Sequence, residues 1–219
     1  MRRLIVVGAL VLAAVAAVAV VAVSRSTGNG SPTVATVGGR TITRDDLQLM
    51  VDHFHEEADR EGRPFPDEGT KAYDVVRRQA LALIVDRAKV ELAAAKLGVH
   101  VSNRNVDRRV ATGRADGEDE GATIRARAEA AFARGTARAQ LVEERVAAKL
   151  DAGIRVTRAD ALAYYRAHPL FYGQRPFTAA RAEITSQLLS TRRNAVFERW
   201  LRRARATTRA EIRDPSLKG

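Results

Sequence analysis

Between Thr70 and Leu97 the chain carries two neighbouring apolar stripes at helical spacing. Val76, Ala80, Leu83, Val90, Ala94 and Leu97 form one, and Leu81, Ile84, Ala88, Leu92 and Ala95 the other. A helix with a single stripe lies on a core from one side, whereas two adjacent stripes need partners over a wide arc. This helix, closed by Gly98, is therefore expected at the centre of a helical core, and the rest of the chain has to supply what surrounds it.

The surrounding segments read as shorter helices with small strand pieces at both ends. Val34–Val37 and Arg40–Ile42 flank Gly38-Gly39 as a hairpin would. Thr43 with Asp46 forms an acidic capping pattern for a helix whose stripe is Leu47, Met50, Val51, Phe54 and Ala58. Ser102 caps a short helix that fades at Gly113, and Gly113–Gly121 is an acidic solvated loop. Helices are expected at 122–134 and 137–152, separated by Gly135 as a C-cap and Thr136 as an N-cap. Thr157 with Asp160 starts a helix carrying Leu162, Tyr164 and Tyr165, which His168-Pro169 stops. Phe171–Pro176 is a connector, Thr178 caps a last long helix over 179–206, and Ala210–Arg213 reads as a closing strand, with the hairpin near Val34 as its partner. The fold class is mainly α with short N- and C-terminal β-strands.

The first residues read differently. Leu4–Val23 is 20 residues without a charge, preceded by Arg2 and Arg3. At 1.5 Å per residue that length spans about 30 Å, the thickness of a bilayer core, and it exceeds the usual apolar region of a cleaved signal. We read residues 1–23 as a signal anchor, one N-terminal transmembrane helix, with the N-terminus cytoplasmic and the remainder extracytoplasmic. Small-x-small triplets such as Ala17-Val18-Ala19 leave cleavage and secretion open. A flexible linker follows over 24–33, then a domain over 34–215 and a tail over 216–219. With no cysteine in the chain, disulfide frameworks, thiolate nucleophiles and a lipid-modified cysteine anchor are excluded.

Catalytic patterns do not emerge. There is no phosphate-cradling glycine loop, no nucleophile elbow and no dinucleotide fingerprint. His55-Glu56-Glu57-Ala58-Asp59 begins like a zinc-protease motif, but Asp59 stands where the second imidazole is needed. His53 and His55 point to different helix faces and read as polar surface histidines. The run Asp116, Glu118, Glu120, Gly121 imitates a calcium loop, with Arg127 where the bidentate glutamate belongs. No catalytic residue, metal site or cofactor is expected.

Two features remain. Tyr164, Tyr165, Phe171, Tyr172 and Phe177 are five of the 11 aromatic residues, within 14 positions. They either fill the joint between two helices or form an apolar surface that receives exposed hydrophobic peptide. The second feature is charge. From Ile154 onward there are 14 Arg and Lys against five Asp and Glu, a net +9 of the chain's +11. The last helix concentrates it at Arg192, Arg193, Arg199, Arg202, Arg203 and Arg205, with Arg209 beyond. Arg192, Arg199, Arg202 and Arg203 are the candidate contacts for anionic partners, lipid headgroups among them, against the plainer reading of a solvated face. Lysine occurs only five times, so the arginine excess reflects composition as well, and a domain outside the membrane meets no nucleic acid.

The order of these stretches carries a resemblance. Val34–Leu47 (VATVGGRTITRDDL), the long helix with its exit Leu97-Gly98-Val99-His100-Val101-Ser102, Gly135–Leu150, and Ile154–Phe171 (IRVTRADALAYYRAHPLF) together resemble the chaperone module of SurA/PrsA-type secreted foldases, itself similar to the trigger factor chaperone region. Phe177–Asp214 resembles the returning helix and terminal strand. Gly38 stands where the family pattern has Asn. The larger departure follows the Tyr-Tyr helix. Full-length relatives carry a parvulin prolyl isomerase domain there, whereas here Tyr172–Pro176 is five residues long, too short for a domain. What the resemblance implies is a non-enzymatic chaperone that binds unfolded or partly folded exported polypeptides in a helical apolar cradle. Alternatives are an accessory partner of a separate isomerase with weak or no catalysis, and an interaction protein that grips anionic membrane or envelope partners through the basic helix.

Overall fold

A computed structural model describes residues 30–113 and 124–218. The expected anchor, most of the linker and the acidic loop after Gly113 lie outside the described residues. Among the described residues, no helix is long and apolar enough to cross a membrane. These residues form seven α-helices, three short strands and a terminal 3₁₀ turn, the mainly helical class with strands at both ends. They fall into two compact units, with residues 30–87, 101–113, 124–140 and 210–218 in the first and residues 88–100 and 141–209 in the second.

The first unit is organised by a three-stranded sheet. Strands β1 (Thr33–Val37) and β2 (Arg40–Thr43) form the expected antiparallel hairpin, with Val37 opposite Arg40. Its turn is Gly38-Gly39 at φ 52° and 85°, and two consecutive positive φ values are what a primed hairpin turn demands. Strand β3 (Ala210–Ile212) adds to the free edge of β1, with Ala210 opposite Val37 and Ile212 opposite Ala35. The order is β2-β1-β3, so the first strand is central and the last segment of the chain closes it.

Helix α1 (Arg44–Arg60) begins in a complete capping box. The Thr43 hydroxyl accepts from the Asp46 amide at 3.2 Å, and the Asp46 carboxylate accepts from the Thr43 amide at 2.8 Å. Its stripe buries Leu47, Met50, Val51 and Ala58, with Phe54 half-buried. Helix α2 (Lys71–Lys96) matches the expected span and ends in a Schellman motif, Gly98 N–H to Ala95 O and Val99 N–H to Ala94 O, both 2.9 Å. Ala80, Leu81, Ile84, Ala88, Val90 and Ala94 are all buried, drawn from both of its stripes. Helix α3 (Asn103–Gly113) is capped by Ser102, whose hydroxyl accepts from the Asn105 amide. The C-terminal turn Pro215–Leu217 places Leu217 in the core at 2 % exposure, and Arg77 on α2 reaches Asp214 at 3.7 Å.

Helix α4 (Ile124–Asp151) is one continuous helix of 28 residues, where the Gly135-Thr136 pair led us to expect two. Gly135 and Ala137 are both buried, and the Thr136 hydroxyl turns back to donate to the Phe132 carbonyl at 3.1 Å instead of capping a new helix. Burial on both sides of the glycine outweighs the roughly 1 kcal/mol it costs in a helix interior.

In the second unit, α5 (Arg158–Ala167) starts in its own capping box from Thr157 and Asp160. Pro169 stops it as expected, yet also serves as the first residue of a four-residue helix α6 (Pro169–Tyr172), where a loop was expected. Helix α7 (Phe177–Thr207) begins two residues before the expected start. Thr178 is not its cap. Pro176 takes that place with extended φ and ψ, and its carbonyl accepts from Ala179 and Ala180.

Replacing Thr43 by Ala removes one half of a reciprocal cap and is expected to lower stability by about 1 kcal/mol. Urea denaturation followed by far-ultraviolet circular dichroism measures it; an unchanged midpoint would mean the box adds nothing to the fold.

Candidate functional site: an aromatic corner and an arginine face

The second unit holds both groups of candidate residues. Ala161 on α5 and Ala180 and Ile184 on α7 are fully buried, and Tyr172 from α6 is buried against them at 7 % exposure. The alanines let α5 and α7 approach closely, and Tyr164, Tyr165, Phe177 and Leu188 pack around the contact. Tyr165 meets Phe177 edge-on at 5.5 Å between ring centroids, while Tyr172 lies 6.3 Å from Tyr164 and 6.2 Å from Tyr165. Four of the five candidate aromatics therefore fill the joint.

Their hydroxyls are tied down. Tyr165 donates to the Arg175 carbonyl at 2.6 Å, Tyr172 donates to Gln187 at 3.2 Å, and the Gln187 amide donates to the Tyr164 oxygen at 3.1 Å. Burial first, then the Glu183 carboxylate, pushes the Tyr172 hydroxyl above its ordinary value of 10.0, so it stays a neutral donor. His168 stacks on Tyr164 at 3.9 Å, with Nδ1 2.8 Å from the Tyr164 carbonyl. These groups brace a corner and face no nucleophile or metal-binding partner.

The fifth aromatic points the other way. Phe171 is 76 % exposed, and its neighbour Leu170 is 97 % exposed. The backbone beneath them is tightly set, since the Gly173 amide donates to the Pro169 carbonyl at 2.7 Å and a Cβ on Gly173 would lie 2.5 Å from that oxygen. Leu170 was missed by sequence reasoning because it fell between Pro169, which stops α5, and the connector read over Phe171–Pro176. Its only signal was that an apolar residue between a proline and a Phe-Tyr pair has no helical stripe to join.

The candidate arginines divide. Arg192 is bound within the unit, 3.1 Å from Asp160 and donating to the Arg155 carbonyl. The hydrogen bond from Arg192, with those from the Thr157 amide and hydroxyl, holds the Asp160 carboxyl well below the usual carboxylate range. Arg193 likewise pairs with Asp151 at 3.1 Å. Arg199, Arg202 and Arg203 are exposed, and among the described residues no carboxylate pairs with them.

The first unit contains a titratable group that the sequence reading placed on the surface. His53 is 6 % exposed, and its ring stacks on Phe132 of α4 with centroids 3.2 Å apart. Its Nδ1 is buried without a hydrogen-bond partner. Polarity suggested an exposed histidine, but the position falls on the buried side of α1 beside Met50. Burial lowers its pKa from 6.5, with Glu57 and Glu129 pulling upward and Arg60 and Arg87 downward. His55, on the opposite side, stacks on Phe65 and lies 3.8 Å from Asp59.

With this geometry in hand, comparison with known families identifies a match. The model of the SurA-like N-terminal domain matches residues 1–118, more than half of the 219-residue chain. The chain belongs to the SurA-like N-terminal domain family. No curated protein and no solved structure matches it significantly. The matched stretch of this SurA-like chain includes the hairpin, α1, α2 with its Schellman exit, and α3. No parvulin domain is evident in the 219 residues, and between α5 and α7 the SurA-like chain has only α6 and residues 173–176.

Two pH effects follow from these shifts. A histidine whose folded pKa lies below its unfolded value adds stability above about pH 6.5, lost as pH falls through the folded pKa. The denaturation midpoint is expected to drop between about pH 8 and pH 5, with His53→Phe flattening that dependence; equal slopes in both proteins would remove His53 as the cause. Asp160 has the carboxylate sign, with its contribution present above the ordinary value of 3.8 and lost only in stronger acid. Asp160→Asn is therefore expected to weaken the protein at neutral pH, with the gap to wild type starting to narrow only as pH falls below about 3.8 in the same titration.

Proposed function

We propose that this SurA-like protein is a chaperone that holds unfolded or partly folded exported polypeptides on the aromatic corner of α5, α6 and α7. It works from the outer side of a membrane, anchored by residues 1–23, or as a secreted protein where that segment is cleaved. The observation that carries the reading is the display of Leu170 and Phe171, 97 % and 76 % exposed, on a backbone braced by the buried Tyr172 and by Gly173. Large apolar side chains held in water without a partner are poised to receive one. Family membership supports the same reading.

The magnitudes suit a holdase. Burying one large apolar side chain contributes about 1.5–3 kcal/mol, so two give shallow, reversible and sequence-tolerant binding. An exposed apolar pair of this kind selects for apolar character and little else. The positive excess of the last third steers acidic stretches of a client toward the unit. We read the activity as non-catalytic, because the residues at the corner only brace one another.

The full-length protein, reconstituted in vesicles, is expected to suppress aggregation of a denatured client at near-stoichiometric ratio. Leu170→Ser with Phe171→Ser should weaken protection several-fold while leaving thermal unfolding in place, since neither side chain is in the core. Protection that persists unchanged in the double variant would move the binding site elsewhere, and no protection by wild type at any ratio would sink the chaperone reading. Turnover of a proline tetrapeptide above the uncatalysed rate would overturn the non-catalytic part.

A further inference from the structure

We propose that the distal half of α7 docks on anionic lipid headgroups, so that the second unit lies against the bilayer surface. The observation is a set of cations that the protein leaves uncompensated. Several other arginines are matched, Arg77 with Asp214, Arg134 with Asp107, Arg175 with Glu183, Arg192 with Asp160 and Arg193 with Asp151. Three arginines farther along α7 depart from it. Arg199, Arg202 and Arg203 are exposed with no carboxylate partner among the described residues, and Glu198 is the only acidic residue between Arg192 and Arg209.

Helical geometry puts the three on one side. At about 100° per residue, Arg199, Arg202 and Arg203 fall within one arc of roughly 100°, and Glu198 lies outside it. Ala195 and Ala206 share the arc and are exposed, so nothing bulky or acidic stands between the guanidinium groups. The inward side at this level carries Phe197, Leu201 and Ala204, half-buried to buried. Arg199 and Arg203 are four apart, a like-charge spacing that is unfavourable unless an anion sits over it. The guanidinium fork matches phosphate oxygens, and the arc offers no apolar groove, which suits a plane of headgroups better than an extended polypeptide.

A bilayer is also the anion always within reach, and here the proposal rests on the membrane address of residues 4–23. The nine residues 24–32 cannot separate the folded chain from the membrane by more than about 32 Å. Each basic side chain near an anionic surface adds roughly tenfold or somewhat less in partitioning, so three together give on the order of 100-fold.

The chain lacks cysteine, so Ala206→Cys gives one labelling site on the arc for an environment-sensitive fluorophore. The labelled full chain is reconstituted in phosphatidylcholine vesicles and in vesicles where part of that lipid is phosphatidylglycerol. The expected result is recovery with both, with blue-shifted and brighter emission only on the anionic vesicles. The shift should vanish in about 1 M salt, where the Debye length is about 3 Å, and in the Arg199→Ala, Arg202→Ala, Arg203→Ala variant. Identical emission on both vesicles overturns the docking while leaving the anchor intact. Recovery with anionic vesicles alone, lost in the triple variant, supports the docking and removes the anchor; recovery with neither overturns both. A shift produced by polyglutamate without vesicles, together with none on anionic vesicles, assigns the face to acidic polypeptide and likewise overturns it.

Discussion

The pairing of β3 with β1 is the interaction on which the first unit depends. Val37 and Ala210 face each other across a sequence separation of about 170 residues, so the hairpin's free edge is satisfied only by the last segment of the chain. Leu217 then enters the same core from the segment after β3, and Arg77 meets Asp214 beside it. A central strand open on one side invites pairing with another chain. For a protein that emerges N-terminus first, this means the sheet completes itself only once β3 has been synthesised.

Helix α2 shows how a single element serves both units. Its buried residues come from two stripes, and it runs through the boundary between residues 87 and 88 without a break. Helix α4 does the same with Gly135 in its interior.

Local signals were the most legible part of the sequence. Both capping boxes, the Gly-Gly hairpin and the Gly98 exit depend on residues within four positions of one another, and all formed as expected. The β3 pairing was also legible, because Ala210–Arg213 is a short strand-like run after a helix and the hairpin had an edge to offer. What failed was local grammar overridden by packing. Gly135-Thr136 reads as the end of one helix and the start of another until burial on both sides is known, and Thr178 reads as a cap until Pro176 supplies the carbonyl. His53 was judged by polarity, while its ring sits on Phe132 from a helix some 80 residues away. At the candidate site, sequence clustering found the aromatics but left open which of them point inward. Direction follows from the turn of α6, which was read as loop, so the outward pair Leu170 and Phe171 became visible only in three dimensions. The arginines were found as a run, and their division into paired and unpaired members required Asp160 and Asp151 to be in place.

The α6 corner separates two jobs between adjacent residues. Tyr172 faces the core and, with Gly173, sets the path of the backbone, whereas Leu170 and Phe171 face water, the Phe171 ring tilted against His168 at 6.5 Å between centroids. Substitutions at those two positions would change the proposed client surface without passing through an unstable intermediate. On the proposed chaperone reading, the preference for clients would therefore be free to drift in evolution at a rate that the fold does not limit.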